Sequence, residues 1–328
     1  MLLNILLYVI YLMKINKKAN YYQVAQGVWG MKTVFVNIYM IANRKGVANG
    51  WVLVDTGLKG SASKIVGMAE ALFGEGTKPE AIILTHGHFD HIGSLKELLD
   101  YWEDVPVYAH PLELPYLTGK SSYPPADPTV GGGLMAWMAW AYPVKPIDVT
   151  DRIQPLDTSG DIPELPEWKT VHTPGHTPGH ISLFFKLNAT LIAGDAFTTT
   201  KTESAIYALT FAQKLSGPPK YLTTDWAMAA ESVRKLYALE PRTVSTGHGY
   251  AMRGKELAKE FKELVDHFED TAIPSSGRYV QIPAVADENG IEYVPPISTS
   301  VKVNLGLMAL FSVAAGFFIA REVQKRYW

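Results

Sequence analysis

The sequence predicts a mixed α/β domain, on three observations. Short apolar runs that read as strands alternate with longer amphipathic runs that read as helices. Hydrophobic residues make up 47% of the 328 positions, enough for a sizeable buried core. Several strand ends run directly into segments rich in Gly, His and Asp, the composition of loops that carry chemistry rather than merely close a fold. The formal charge of −2 supplies no basic field for a phosphate backbone, so nucleic acid is not an expected partner. The chain has no Cys, which removes disulfides, thiolate nucleophiles and cysteine-held metal from consideration.

Taken in order, the chain begins with an apolar N-terminal extension, residues 1–20. Residues 2–13 are apolar apart from Asn4, but a stretch that short does not cross a hydrocarbon core of about 30 Å. Lys14, Lys17 and Lys18 follow this stretch instead of preceding it, unlike a secretory signal, so it reads as a peripheral anchor or as sequence upstream of a start at Met13. The main folded domain is expected over 21–270. Strands are predicted at 34–41 and 51–55, joined across a turn at 43–46, followed by an amphipathic helix over 61–73 that ends near Gly74 and Gly76. A strand at 81–84 delivers a polar loop, a helical pattern covers 94–100, and a short strand occupies 107–109.

Residues 115–150 break the pattern. They hold Pro124, Pro125, the run Gly131 to Gly133 and the apolar cluster Leu134, Met135, Trp137, Met138, Trp140 and Tyr142. So long a segment with so many aromatics reads as a hydrophobic insertion, either a lid or substrate wall carried by Trp137 and Trp140, or a helix that closes the core. Strands resume at 169–172, 182–186 and 189–193. A helix capped by Thr224 or Asp225 is predicted to run to about residue 240, where Pro241 stops it; a strand at 244–246 and a helix over 254–268 follow. Residues 271–300, rich in Pro, Gly and Ser, read as a linker. Residues 303–320 carry no charge and would extend about 27 Å as a helix, so 301–328 is expected to be a transmembrane anchor with a basic tail. That gives a single-pass membrane protein whose orientation the flanking charges leave open.

The polar loop holds the strongest signal. Thr85-His86-Gly87-His88-Phe89-Asp90-His91 packs three imidazoles and a carboxylate into six residues in a chain with nine His. Neutral His and ionised Asp are preferred ligands of zinc and related divalent metals, and solvation alone needs no such spacing. Three later segments repeat the arrangement at strand ends flanked by Gly: His172 to His180, Gly194-Asp195, and Gly247-His248-Gly249. Together they supply donors enough for two metals sharing one carboxylate.

With these residues in order, the sequence resembles the metallo-β-lactamase-fold metallohydrolase superfamily, in its glyoxalase II and lactonase-like branch. The hallmark H-x-H-x-D-H is met by His86, His88, Asp90 and His91, followed by a lone His, an Asp and a last His. The resemblance covers roughly residues 22–268. It implies an αββα sandwich of four layers, a first metal on His86, His88 and His176, a second on Asp90, His91 and His248, and Asp195 bridging them. His180 is implied to stand behind the ligands; His110, His172 and His267 read as ordinary histidines.

The implied activity is that of a binuclear metal-dependent hydrolase. Two divalent ions about 3.5–4 Å apart, Zn2+ with Fe or Mn as alternatives, would hold a bridging hydroxide that cleaves an ester, lactone or thioester of an apolar acyl substrate, and Asp90 would serve as proton shuttle. Departures narrow the branch. There is no Cys ligand, His88 stands where flavodiiron proteins carry Glu, Thr198 stands where known acyl-homoserine lactonases carry Tyr, and the basic C-terminal helices with which glyoxalase II holds glutathione are not evident. Tyr207 or Tyr221 would have to replace that missing Tyr. A mononuclear-iron persulfide dioxygenase, a phosphodiesterase and a non-catalytic metal-binding membrane scaffold stay open at this point.

Overall fold

The computed structural model describes residues 21–43, 50–157, 159–162, 164–210 and 212–297. The N-terminal extension, most of the turn at 43–46 and the anchor expected over 301–328 lie outside the described residues. Strands β1 (Tyr21–Ala25), β2 (Val28–Thr33), β3 (Val36–Ala42) and β4 (Trp51–Val54) form an antiparallel meander. β5 (Ala81–Ile83), β6 (Val107–Ala109) and β7 (Ile153–Pro155) continue it in parallel to make a seven-stranded sheet. The second sheet runs β12-β11-β10-β9-β8, from β8 (Trp168–His172), β9 (Ile181–Phe185), β10 (Thr190–Ile192), β11 (Thr243–Ser245) and β12 (Met252–Arg253).

Side-chain alternation along β4 fixes the layers. Trp51 and Leu53 pack outward with Ile65 and Met68 of α1 (Ala62–Phe73) and with Leu95 and Leu98 of α2 (Leu95–Tyr101). Val52 and Val54 point the other way, into a layer shared with Ile181, Leu183 and Phe185 of the second sheet. On the far face of that sheet Leu191 and Val244 meet helices that come late in the chain. The result is the four-layer αββα sandwich, and each of these buried side chains contributes roughly 1.5–3 kcal/mol by leaving water.

The helices arise where the sequence places their signals. The Asp225 carboxylate accepts from the Met228 amide at 2.9 Å and caps α6 (Trp226–Tyr237), which buries Trp226, Ala229, Val233 and Leu236 on one side. Helix α7 (Gly254–Asp266) buries Leu257, Phe261 and Leu264 and keeps its charged residues outside. The shorter helices are α3 (Leu114–Leu117), α4 (Leu134–Trp137), α5 (Ala205–Thr210) and α8 (Phe268–Thr271).

Two strands precede those read from the sequence. β1 and β2 form a hairpin onto β3, whose start is set by Val34 in a left-handed conformation at φ 69°. Residues 271–297, expected as a linker, run back over the insertion. The Tyr279 hydroxyl donates to the Pro125 carbonyl at 2.7 Å, the Ile291 amide donates to Ser121 Oγ at 3.1 Å, and β13 (Val285–Asp287) pairs with β14 (Gly290–Tyr293).

The expectation of a single-pass membrane protein is corrected here. Among the described residues no helix is long and apolar enough to cross a membrane. The longest of them, α7 with 13 residues, extends about 20 Å and is charged along one face.

Candidate metal centre

Parallel strands explain why residues distant in sequence meet. β4 and β5 run side by side, so Asp55 and the loop from Thr85 leave the first sheet at one edge; β10 and β11 do the same in the second sheet with Asp195 and His248. The loop between β8 and β9 brings His176 to that edge. Backbone bonds pin the two edges together: the Ile181 amide donates to Thr85 O at 3.0 Å and the Asn37 amide to Gly247 O at 2.7 Å. The Asn37 side-chain amide donates to Thr246 O and Gly249 O at 2.9 and 2.6 Å.

All seven residues singled out as ligands converge and are buried. Donor atoms of His86, His88 and His176 lie within 4.8 Å of one another, as do those of His86, His91 and Asp195, and those of Asp90, His91 and His248. Asp195 sits at the middle: its Oδ2 is 3.1 Å from His248 Nε2, 3.5 Å from His91 Nε2 and 3.6 Å from His176 Nε2. Asp90 Oδ2 lies 3.5 Å from His248 Nε2. Gly247 is required by this closeness, since a Cβ there would overlap Asp195 Oδ1 and His91 Cε1.

A partner behind each ring sets which nitrogen faces inward. Nδ1 of His91 contacts Asp55 Oδ2 at 2.8 Å, Nδ1 of His86 the Thr85 hydroxyl at 3.1 Å, Nδ1 of His176 the Thr223 hydroxyl at 3.1 Å, and Nδ1 of His248 the Phe35 carbonyl at 2.9 Å. Placing the ring proton on Nδ1 satisfies all four contacts and leaves each Nε2 lone pair aimed at the centre. His88 is the exception, turning Nδ1 toward His176 Nε2 at 3.0 Å.

The donor set fits a cation. His86 Nε2, His91 Nε2 and Asp195 Oδ1 are buried with no hydrogen-bond partner among the described residues, and orphaned polar atoms of this kind are costly unless something binds them. Burial holds the imidazoles of His86 and His176 well below their ordinary pKa and pushes that of His88 down to about 3, with neighbouring rings adding to the effect, so these three remain neutral donors. Burial acts against ionisation of Asp195, but His248 and His91 overcome it and hold this carboxyl well below the usual carboxylate range. Burial would lower His91 and His248 too, yet the carboxylates around them raise both. Burial raises Asp90.

His180 does not join the ligands. Its Nε2 accepts from the Asp195 amide at 2.8 Å and its Nδ1 contacts the Thr173 hydroxyl at 2.8 Å, so it positions the turn that carries Asp195. Gly194 at φ 53° makes that turn, and a Cβ there would sit 2.5 Å from His180 Nε2. His110 and His172 stack on each other with ring centroids 4.0 Å apart, away from the ligands, and His267 is exposed. Thr198 donates to the carbonyls of Thr200 and Gly217.

Three residues of the site were not read from the sequence. Asp55, buried in a left-handed conformation at φ 59°, accepts from the Thr85 amide and hydroxyl, each at 2.8 Å, as well as from His91. Its one sequence signal is a carboxylate placed directly after the apolar strand at Trp51 to Val54. Glu113, also buried, joins the two histidine loops. Its Oε2 accepts from the Gly87 amide at 2.9 Å and from the Tyr123 hydroxyl, while its Oε1 accepts from the Thr177 hydroxyl at 2.7 Å and the Gly179 amide at 2.8 Å. Burial raises the Glu113 carboxyl and the four donors oppose that rise. Tyr123, the third, lies over His88 with centroids 4.6 Å apart.

A cavity of about 460 Å³, counted with its open mouth, adjoins His248. The insertion turns Ala136 and Ala139 into a small core with Tyr221 and Leu222 and sends Met135 to the cavity wall, where Tyr207 and Tyr221 also stand. Tyr142 reaches Phe89 of the histidine loop with centroids 5.6 Å apart. Trp137 is half-buried, Trp140 is 70% exposed, and neither lines the cavity.

A four-layer scaffold with a buried His/Asp centre at one edge defines a metal-dependent hydrolase. The chain belongs to the metallo-beta-lactamase superfamily, whose family model matches residues 31–248. It is 46% identical over 245 residues to Probable metallo-hydrolase YflN of Bacillus subtilis (strain 168), covering 75% of this chain and 92% of that protein. It is 27% identical over 231 residues to a hydroxyacylglutathione hydrolase of Erwinia tasmaniensis, covering 70% of this chain and 69% of that one. A metallo-beta-lactamase from Erythrobacter litoralis with beta-mercaptoethanol in its active site shares the fold at a TM-score of 0.50 and 18% identity, covering 75% and 96% of the two chains.

Proposed function

We propose that the chain is a binuclear hydrolase of ester, lactone or thioester bonds. The observation that carries this reading is the set of seven buried donors around one carboxylate, with orphaned atoms on His86, His91 and Asp195 aimed inward. His86, His88 and His176 would hold one divalent ion, Asp90, His91 and His248 a second, and Asp195 both, with Zn2+ the first choice for this nitrogen and oxygen set. Such ions supply Lewis acidity and bring the ionisation of water toward neutral pH.

The rest is the work of the protein's own groups. Asp55, Thr85, Thr223 and Phe35 fix the ring orientations, so that the donors need no rearrangement during reaction. As the oxygen of water joins the acyl carbon and the C–O or C–S bond breaks, Asp90 carries the proton released by water to the leaving atom. Met135, Tyr207 and Tyr221 offer an apolar wall for the acyl part. Similarity to a hydroxyacylglutathione hydrolase favours thioesters among the three bond types.

The test is metal quantification of the whole chain followed by a panel of ester, lactone, thioester and phosphodiester substrates. The reading expects about two divalent ions per chain and acyl hydrolysis that fails after chelation and returns with metal. One iron per chain with oxygen uptake, or faster cleavage of a phosphodiester than of any acyl substrate, would replace it.

A further inference from the structure

The cavity beside His248 has a charge signature that the metal centre does not explain. Its charged lining residues among the described residues, apart from His248 itself, are Lys32 and Lys201. The two lysines reach it from different parts of the chain, Lys32 from β2 in the first sheet and Lys201 from the segment that follows Asp195 in the second. Each ammonium is held against an aromatic ring of the same cavity. Lys32 Nζ lies 5.4 Å from the centre of Tyr250 and Lys201 Nζ 5.5 Å from the centre of Tyr207.

Lys32 is half-buried between Met31 and Thr33, both fully buried, and burial lowers its ammonium pKa. A desolvated ammonium facing a cavity attracts an anion far more strongly than the same group in open water. Phe35 stacks on His248 at 6.0 Å between centroids, and both rings line the cavity with Lys32. A substrate lying in this cavity meets His248 of the metal centre and the two ammonium groups.

We infer that the cavity is a subsite for a substrate that carries a carboxylate, held by Lys32 and Lys201 across an apolar spacer from the scissile acyl group. This rests on the hydrolase reading above and deepens it by naming the charge its substrate carries. The carboxylate forms charge-assisted hydrogen bonds to the two ammonium groups while the spacer lies against Met135 and Tyr221.

The metal-loaded full chain is assayed with mono(4-nitrophenyl) glutarate, whose far end is a carboxylate, and with its neutral methyl ester, at low salt and at 0.5 M NaCl. The subsite predicts a preference for the anionic ester of about tenfold or more in kcat/KM, expressed mainly in KM, that shrinks as salt screens the lysines. Lys32→Met and Lys201→Met bring the ratio between the two esters toward one, whereas Lys32→Arg and Lys201→Arg keep it above one. Equal kcat/KM for the two esters, or Met variants that leave the ratio intact, would overturn the subsite while the hydrolase reading stands. No turnover of either ester, thioester or lactone would sink both.

Discussion

The histidine loop of residues 85–91 and the insertion of residues 115–150 flank the same centre and are built in opposite ways. In the loop His86, His88, Asp90 and His91 are buried, and the imidazoles of His86 and His91 each have Nδ1 partnered and Nε2 facing the centre. The insertion reaches the site through Met135 and Tyr142, packs on Ala136 and Ala139, and leaves Leu134, Met138 and Trp140 exposed. Hydrogen bonds with fixed directions hold the reacting groups, and non-directional apolar contact shapes the wall. The chemistry should therefore break sharply when a polar anchor is removed, and the specificity should drift gently when the wall is trimmed.

The largest expected effect of removing an anchor is at Asp55. Asp55→Ala takes away the acceptor that fixes His91 and the Thr85 backbone, and should weaken metal affinity and turnover by about 100-fold. Competition with a chromogenic chelator measures the affinity, and a loss under about threefold would show that His91 is fixed by other means. Next comes Glu113→Gln, which keeps the shape but swaps one acceptor oxygen for a donor facing N–H or O–H groups. Leaving such donors unmatched should destabilise the fold by about 2 kcal/mol in chemical denaturation. Unchanged stability would mean that the two loops do not depend on this clamp.

Acid should act on the metal-free protein through its buried neutral rings. Burial pushes His88 and His180 down to about 3, whereas in the unfolded chain both titrate near the ordinary value of 6.5. Between those limits the unfolded state binds more protons at these two rings, so their contribution to stability is fully present above the unfolded value and is lost as pH drops from about 6.5 toward 3. The slope is about 1.4 kcal/mol per pH unit for each ring. Denaturation midpoints measured after chelation from pH 7 to pH 4 test this, and a flat profile would contradict the burial of neutral imidazoles. The smallest effect is expected on the soft side: Met135→Ala should raise KM for apolar acyl substrates only a few-fold and leave metal content untouched.

The same contrast governs what could be read from the sequence. His86, His88, Asp90 and His91 announce themselves because their spacing is local, and His176, Asp195 and His248 because each follows a short strand and stands beside Gly. The layers follow from strand alternation, as Trp51 to Val54 shows. Glu113 carries no such sign: its partners Thr177 and Gly179 lie 64 and 66 positions away, and nothing in the stretch from Pro111 to Leu117 marks a buried carboxylate. Residues 271–297 look like a linker in composition because their contacts, such as Tyr279 to Pro125, are long-range and mostly to backbone. The Trp137 and Trp140 pair stands out in the sequence, but helical phase directs Met135, Ala136 and Ala139 inward instead.

The central claim is that one carboxylate, Asp195, joins two sets of three ligands into a working centre. Metal content and turnover of the full chain should be measured for Asp195→Ala beside the unaltered protein. The account predicts loss of at least one bound ion and a fall in turnover on the order of a thousandfold. A variant that keeps the same metal content and full turnover would contradict it.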